Sequence, residues 1–227
     1  MKNRTRGKEV KGKGKGSNKD QQKSIIYVLT EGNTEDIYLK HFSNKEYNVY
    51  VKPVDSEHTD ALGIVQFAKE KYIDVPRKID INKGDRVYCV FDSDPASNPA
   101  EKIKQAFNII KGSKEKGLNC IFSNPCFEVW FVMHYKNPPY GKTAEQMKDI
   151  IGKIIQDREK LKDYKETTDI FDILAVHHEE ALKRAVQLHK SQEQVYKKVL
   201  SHECNPYTNI FEFIQYIENC KKRNAKK

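Results

Sequence analysis

The stretch Tyr27–Asp36, YVLTEGNTED, decides how the rest of the chain is interpreted. With the residues before it, it completes a short, nearly continuous β-favouring run over residues 24–30, typical of a strand buried on both faces. The run breaks off at Glu31, and Gly32 follows where the chain must turn into a helix-like, acid-rich segment. In an open α/β sheet, ligands gather at such strand ends, so the carboxylate there requires an explanation.

Strand-like and helix-like patterns continue to alternate along the chain. Three further strand-like runs cover residues 47–54, 86–92 and 118–122, and three helix-like runs cover residues 34–42, 60–73 and 99–111. The resulting βαβαβαβ order predicts an open, mostly parallel sheet flanked by helices, as in Rossmann-like α/β folds. The next segment, residues 124–135, is apolar on most sides and predicts a buried helix packed on the sheet.

The patterns after residue 136 are helical. Amphipathic spacing covers residues 143–161, 177–200 and 208–220, and we expect no strand among them. The chain therefore divides into a disordered basic tail, an α/β core, a helical portion packed on the core and a second basic tail, over residues 1–23, 24–136, 137–220 and 221–227.

The positive charge of the chain is concentrated at its ends. Residues 1–24 contribute +7 and residues 221–227 contribute +5 to a net charge of +9, so the body between them carries −3. The Gly/Lys-rich N-terminal segment has no apolar periodicity, and we predict that Lys11, Lys13 and Lys15 bind nucleic-acid phosphates. The alternative interpretation is a tail that only improves solubility.

The cysteines and the apolar runs indicate a soluble, cytoplasmic protein. The chain has five cysteines, an odd number with no CxxC pair, so we expect reduced thiols and a reducing compartment. No stretch approaches the roughly 18 apolar residues of a membrane span, and the basic N-terminus lacks the apolar segment of a signal peptide. Residues 177–180 and 202–204 contain His, Glu or Cys but lack metal-site spacing, and we interpret them as surface or helix-start residues.

Acidic residues follow two of the predicted strands. Glu31 ends the first strand, and Asp92 and Asp94 end the third in the sequence VFDSDP. If these strands are neighbours, three carboxylates converge in the arrangement that Mg²⁺ or Mn²⁺ requires. The alternative role for such acids is helix capping, which would account for Glu35. It does not account for Asp92 and Asp94, because Asn98 is expected to cap the next helix.

A strand ending in Glu-Gly, with a later strand ending in Asp-x-Asp, resembles the Toprim fold. Further motifs resemble a narrower group, the RloB-like family associated with bacterial phage resistance, which includes the AbiLii abortive-infection proteins. The motifs are EGNTEDIYL (31–39), VFDSDP (90–95), SNPCFEVWFVMHY (123–135) and NPYTNIFEFI (205–214). The resemblance spans almost the whole chain after the basic tail.

The resemblance implies a metal-dependent phosphoryl-transfer centre, similar to those of topoisomerases, primases and overcoming-lysogenization-defect nucleases. By position, Glu31 would be the general acid/base or a metal ligand, and Asp92 and Asp94 would hold Mg²⁺ or Mn²⁺. Glu35 and Glu128 are further candidate ligands. Glu128 lies in an otherwise apolar turn and needs a cation, a metal or a solvent-facing position.

A cation is also expected near the reacting phosphate. The sequence LKDYKETTDIF resembles the family's Tyr-x-Lys-like segment, although here Lys165 directly follows Tyr164. Lys165 is therefore a candidate catalytic cation. The alternative is a solvated surface lysine. His134 is interpreted as a core histidine.

Three functions compete at this stage. The leading one is a metal-dependent nuclease acting on DNA or RNA in anti-phage defence, with an ABC/AAA-type ATPase as partner, as the resemblance implies. The second is a Mn²⁺-dependent nucleotide-sugar transferase, in which Glu31 has no role. The third is a non-catalytic subunit that binds nucleic acid or docks on an ATPase. A haloacid-dehalogenase-like phosphatase fits less well, because its Asp-x-Asp should end the first strand. The oligomeric state stays open.

Overall fold

The computed structural model describes residues 23–95, 98–161, 164–196 and 200–226. These residues form a five-stranded sheet with the order β2-β1-β3-β4-β5, in which only β5 is antiparallel to its neighbour. The strands are β1 (Ser24–Leu29), β2 (Val49–Val54), β3 (Arg86–Asp92), β4 (Leu118–Asn124) and β5 (Tyr207–Thr208). The predicted α/β class and mostly parallel sheet are confirmed.

Eight α-helices lie within the described residues. They are α1 (Asn33–Leu39), α2 (Ala61–Ala68), α3 (Ala100–Ser113), α4 (Glu128–Met133), α5 (Ala144–Glu159), α6 (Phe171–Ala175), α7 (His178–Val195) and α8 (Ile210–Ala225). A 3₁₀ turn extends α1 over Lys40–Phe42, and a π-helical turn extends α2 over Lys69–Ile73. None of the described helices has the length and apolar character needed to cross a membrane.

The strand order reverses direction between β1 and β3. The chain runs outward from β1 to β2, then returns past β1 to β3 and continues to β4. Because β1 and β3 are paired in parallel, with Leu29 opposite Cys89, their carboxyl ends lie side by side. This reversal is the topological switch point where open α/β sheets bind their ligands.

Both faces of the sheet are buried. Leu29 and Phe91 point to the face covered by α2 and α3. Val28 and Val90 point to the opposite face, which is covered by α1, α4, α5, α7 and α8 and includes the fully buried Trp130. Because side chains alternate along a strand, a sheet covered on both faces requires nearly continuous apolar runs, as the sequence predicted.

The C-terminal part differs from the prediction in two respects. First, β5 pairs with the end of β4 in a region where only helices were expected, because two residues carry no readable strand pattern. Second, residues 221–225, expected as the start of a basic tail, form the last turns of α8. Arg223 donates to Ser24 Oγ at 2.9 Å, and Asn224 donates to the Tyr47 carbonyl at 2.7 Å, so these turns are tied to the core.

Candidate active site

Glu31 lies at the switch point, just beyond the end of β1. Its Oε1 accepts a hydrogen bond from Asn98 Nδ2 at 2.6 Å, and its Oε2 accepts one from the Asp92 amide at 3.4 Å. Burial raises the pKa of Glu31 to about 7, against the effect of these hydrogen bonds and with a contribution from Asp60 and Asp94. At that pKa the carboxyl exchanges protons near neutral pH.

Asn98 is fully buried and joins three elements. Besides Glu31, its Nδ2 donates to the Asp92 carbonyl at 2.9 Å, and its Oδ1 accepts from the Ala61 amide at 2.7 Å. The prediction that Asn98 caps α3 is wrong, because α3 follows Pro99 without a side-chain cap. The amide instead hydrogen-bonds polar groups just beyond β1, at the end of β3 and at the start of α2.

Asp92, at the end of β3, turns its carboxyl into the protein. Its Oδ2 accepts a hydrogen bond from the Phe127 amide at 3.1 Å, just before α4. Its Oδ1 is buried with no hydrogen-bond partner among the described residues. Burial, together with the charges of Glu35, Glu128 and Glu31, raises the pKa of Asp92 well above its usual range.

Glu35 and Glu128 complete this group. Their side chains are almost fully buried, with 6% and 2% of the residue surface exposed. Burial raises the pKa of Glu35 to about 8, with added repulsion from Glu128 and Glu31, and Glu35 Oε2 has no hydrogen-bond partner among the described residues. Burial also raises the pKa of Glu128, opposed by the Cys126 thiol. We call Glu31, Glu35, Asp92 and Glu128 the acid cluster.

Gly32 contributes space rather than an unusual turn. Its backbone is extended, with φ −146° and ψ 177°, a conformation open to any residue. A Cβ at this position would lie 3.2 Å from Glu35 Oε2, which is a tight contact. Gly32 therefore lets the buried carboxyl of Glu35 lie against the chain.

Asp94 lies beside the acid cluster rather than inside it. It is half-buried, its backbone carbonyl accepts from the Asn98 amide at 2.7 Å, and its charge acts on Glu31. Within the described ranges, no three His, Cys, Asp or Glu side chains form a ready-made metal group. The structure thus brings Glu31 and Asp92 together, as predicted for neighbouring strands, and adds Glu35 and Glu128.

Lys148 of α5 places a cation next to the acid cluster, which the sequence did not predict, whereas the proposed role of Lys165 at a reacting phosphate stays a prediction. Lys148 pairs with Glu166, and its charge lowers the pKa of Glu128. Lys165 is exposed and lines a cleft of about 350 Å³, and its backbone amide donates to Thr168 Oγ1 at 2.9 Å. A cation near Glu128 is therefore supplied by α5, the next helix along the chain.

Comparison with known proteins identifies the chain. Residues 26–217 match the family described as RloB-like protein. The chain belongs to the RloB-like family. No curated protein and no solved structure matches it. The matched region of this RloB-like protein runs from β1 into α8 and therefore contains the whole acid cluster, Asp94 and Lys165. The predicted binding residues Lys11, Lys13 and Lys15 precede the matched region and lie outside the described residues.

Two further residues at this edge of the RloB-like protein were not predicted from the sequence. The Tyr164 hydroxyl is buried with no partner in the described part of the chain. Burial raises the pKa of Tyr164, and the charge of Glu128 is the largest of the neighbouring effects that raise it further. His202 was interpreted as a surface residue, but its Nδ1 lies 2.7 Å from the Oγ of Ser93, the residue between Asp92 and Asp94 in the sequence. In the sequence, Tyr164 is marked only by the lysine that follows it, and His202 only by the His-Glu-Cys triplet. Neither motif predicts the contacts of these side chains in the fold.

Proposed function

We propose that this RloB-like protein is a Toprim-type nuclease that uses Mg²⁺ or Mn²⁺ to hydrolyse phosphodiester bonds in DNA or RNA. The observation that supports the proposal is the acid cluster at the carboxyl edge between β1 and β3. Burying carboxylates without a compensating cation lowers the stability of the folded protein, and side chains that lower stability in this way are typical of functional sites.

The residues present suit a hard divalent cation. Carboxylate oxygens are the ligands that Mg²⁺ and Mn²⁺ prefer. Asp92 Oδ1 and Glu35 Oε2 are both buried without partners among the described residues, so each has a free acceptor for a metal. Asp92 and Glu35 would hold the ion, with Asp94 and Glu128 as further candidate ligands, and Glu31 would be either a ligand or the general acid/base. A bound ion would polarise the phosphodiester and lower the pKa of water.

Glu31 has the properties of a general acid/base. Its pKa is raised to about 7 by burial, so the carboxyl can both accept and donate a proton at neutral pH. Two hydrogen bonds hold its oxygens in place, from Asn98 Nδ2 and from the Asp92 amide. Asn98 is then a positioning residue, because its buried amide fixes the direction of the Glu31 carboxyl.

We further propose that the protein acts in bacterial anti-phage defence, of the abortive-infection type, in the cytoplasm and with an ABC/AAA-type ATPase. The support for this role is the membership of the RloB-like family, a family associated with bacterial phage resistance. A partner that hydrolyses ATP would give the cell control over a nuclease that is harmful when unrestrained.

Cleavage by the purified full-length protein tests the proposal. Plasmid, linear duplex, single strands and tRNA are incubated with Mg²⁺ or Mn²⁺, with and without the ATPase. We expect cleavage that EDTA abolishes, and a loss of at least about 100-fold in rate for Glu31→Gln and for Asp92→Asn. Glu101→Gln, which removes an exposed carboxylate from α3, is the matched control and should cut normally.

Two outcomes would contradict the proposal. Equal cleavage by the parent and by Asp92→Asn would mean that another protein or another site cuts. If no substrate is cut even with the ATPase present, but Mn²⁺ still raises the melting temperature, the protein is instead a non-catalytic subunit that binds nucleic acid or docks on the ATPase.

A further inference from the structure

A cleft of about 350 Å³ opens between α5 and residues 164–166. Its charged and polar lining includes Lys148, Asp149, Lys153, Tyr164, Lys165 and Glu166. The three lysines outnumber the two carboxylates, so the lining carries a net charge of +1, in a protein whose body, apart from its two basic ends, carries −3. The cleft is therefore a local positive exception to the charge of the body.

The cleft adjoins the acid cluster through two of its residues. Lys148 lies near Glu128. Partial burial acts to lower the pKa of Lys148, but the nearby Glu166, Glu128 and Cys126 outweigh it and raise the pKa. The Tyr164 hydroxyl is close to both Glu128 and Glu35, whose charges add to the effect of burial in raising its pKa.

A hydrogen bond ties the wall of the cleft to the helix that carries Glu35. Thr34 Oγ1 of α1 donates to the Glu166 carbonyl at 3.1 Å. Residues 164–166 are therefore held against the helix that carries Glu35.

The polar groups of the cleft are only partly satisfied within the protein. Lys148 is paired with Glu166, whereas Lys153 and Lys165 have no ion-pair partner among the described residues. The Tyr164 hydroxyl is buried and also lacks a partner there. A buried hydroxyl without a hydrogen bond lowers stability, and a bound acceptor would offset that cost.

We infer that this cleft binds a phosphate of the nucleic-acid backbone beside the acid cluster, with Lys153 and Lys165 at its mouth, Lys148 toward the cluster and the Tyr164 hydroxyl as a donor. The inference rests on the proposed function for the class of its ligand. A polyanion that approaches several carboxyls needs nearby cations to offset the repulsion, and lysine supplies them to phosphates as a mobile point charge.

Oligonucleotide binding without metal tests the inference separately from cleavage. The affinity of the full chain for a fluorescein-labelled single strand is measured by anisotropy in EDTA, over a series of salt concentrations. For Lys153→Gln/Lys165→Gln we expect at least about tenfold weaker binding and a slope of log affinity against log salt reduced by about one to two. The matched control is Lys71→Gln/Lys111→Gln, which removes two exposed lysines from the opposite face and should change the affinity less than about twofold.

Tyr164→Phe tests the buried donor. Because the Tyr164 hydroxyl has no partner among the described residues, the variant should have a melting temperature no lower than that of the parent, yet bind the strand about threefold or more weakly. Unchanged affinity would exclude the hydroxyl as a phosphate donor. Competition by AMP and by inorganic phosphate separates a backbone site from a small-molecule site, and displacement of the strand by either at micromolar concentration would overturn the inference.

The outcomes distinguish this inference from the nuclease proposal. If no cleavage is ever seen but the double lysine variant loses binding, the cleft is a nucleic-acid site and the nuclease proposal fails. If the parent cuts and the double variant binds and cuts equally well, the cleft inference alone fails.

Discussion

The carboxyl of Asp92 combines two opposite environments. One oxygen accepts the Phe127 amide, while the other is buried without a partner in the described residues and lies among the charges of Glu35, Glu128 and Glu31. Replacing the carboxyl by an uncharged group of the same shape should therefore raise stability, because a carboxyl whose pKa is raised by folding destabilises the native state at neutral pH. A side chain that lowers stability in this way is best explained by a function.

We predict that Asp92→Asn stabilises the metal-free protein and abolishes its response to metal. The asparagine can still accept the Phe127 amide, so its free energy of unfolding at pH 7 in EDTA should be about 1–3 kcal/mol higher than that of the parent. The parent should gain stability on addition of Mn²⁺, and the variant should not. Urea denaturation measures both. A less stable variant that keeps its Mn²⁺ response would show that Asp92 has a purely structural role.

His134 provides a pH dependence that is independent of the acid cluster. It is buried, its Nδ1 donates to the Trp130 carbonyl at 3.0 Å, and burial, with a smaller effect of His178, lowers its pKa to about 3. The unfolded chain has a histidine pKa of about 6.5. Between these values the unfolded state binds more protons, so the stabilising neutral form is fully populated above about pH 6.5 and its contribution is lost as the pH falls.

We predict that His134→Asn flattens the acid limb of the stability curve. The asparagine amide can still donate to the Trp130 carbonyl but does not titrate. Between about pH 6.5 and 4, the free energy of unfolding of the parent should fall more steeply than that of the variant, by up to about 1.4 kcal/mol per pH unit. Urea denaturation across this range checks the slope, with exposed His58→Asn as the control. Parallel curves would exclude His134 as the source.

At the scale of elements, one side chain attaches the C-terminal helix to the sheet. Asn209 precedes α8, but it does not cap that helix with its side chain. Its Oδ1 accepts from the Phe122 amide at 2.7 Å, and its Nδ2 donates to the Cys120 carbonyl at 3.3 Å, so it satisfies backbone groups on the free side of β4. The short β5 and this residue together continue the sheet beyond its last parallel strand.

We predict that Asn209→Ala lowers the free energy of unfolding by about 2–4 kcal/mol. Two buried backbone groups of β4 would lose their partners, and water has no access to replace them. Asn119→Ala serves as the control, since its side chain donates to the Gly117 carbonyl at a half-buried site and should cost less than about 1 kcal/mol. Similar losses for the two variants in urea denaturation would show that the Asn209 contacts are dispensable.

At the scale of the molecule, the last turns of α8 lie against the amino end of β1. Arg223 and Asn224 contact Ser24 and Tyr47, and the Tyr216 hydroxyl donates to the Gly84 carbonyl at 3.0 Å nearby. The basic C-terminal sequence is thus structural up to residue 225 and not only a polyelectrolyte. The segment is positively charged, and its helix also packs against the sheet at the amino end of β1.

We predict that removing residues 221–227 lowers the free energy of unfolding by about 2–4 kcal/mol, because the truncation deletes the hydrogen bonds of Arg223 and Asn224 to the core. Removing only residues 226–227 is the control and should have little effect. Thermal melting of the three proteins makes the comparison. Equal melting temperatures would support a tail without a structural role from residue 221 onward.

Much of the core could be predicted from local pattern. Apolar runs of the right length placed four parallel strands, and the alternation with amphipathic segments indicated helices on both faces. The acids Glu31 and Asp92 were found because strand ends are visible in sequence. The contacts of Asn98 and the pairing of β5 were not predictable, since both depend on partners distant in sequence, 67 residues in the case of the bond from Asn98 to Glu31.

The sequence by itself determined the fold class, the RloB-like membership and the acids at the ends of β1 and β3, because hydrophobic period and motif are local properties of a chain. Only the tertiary structure decided which charges meet. Glu35 and Glu128 turn inward beside Asp92, and the charge of Lys148 acts on Glu128, because helix packing on the sheet sets these directions. Burial then sets their protonation, which no one-dimensional pattern records.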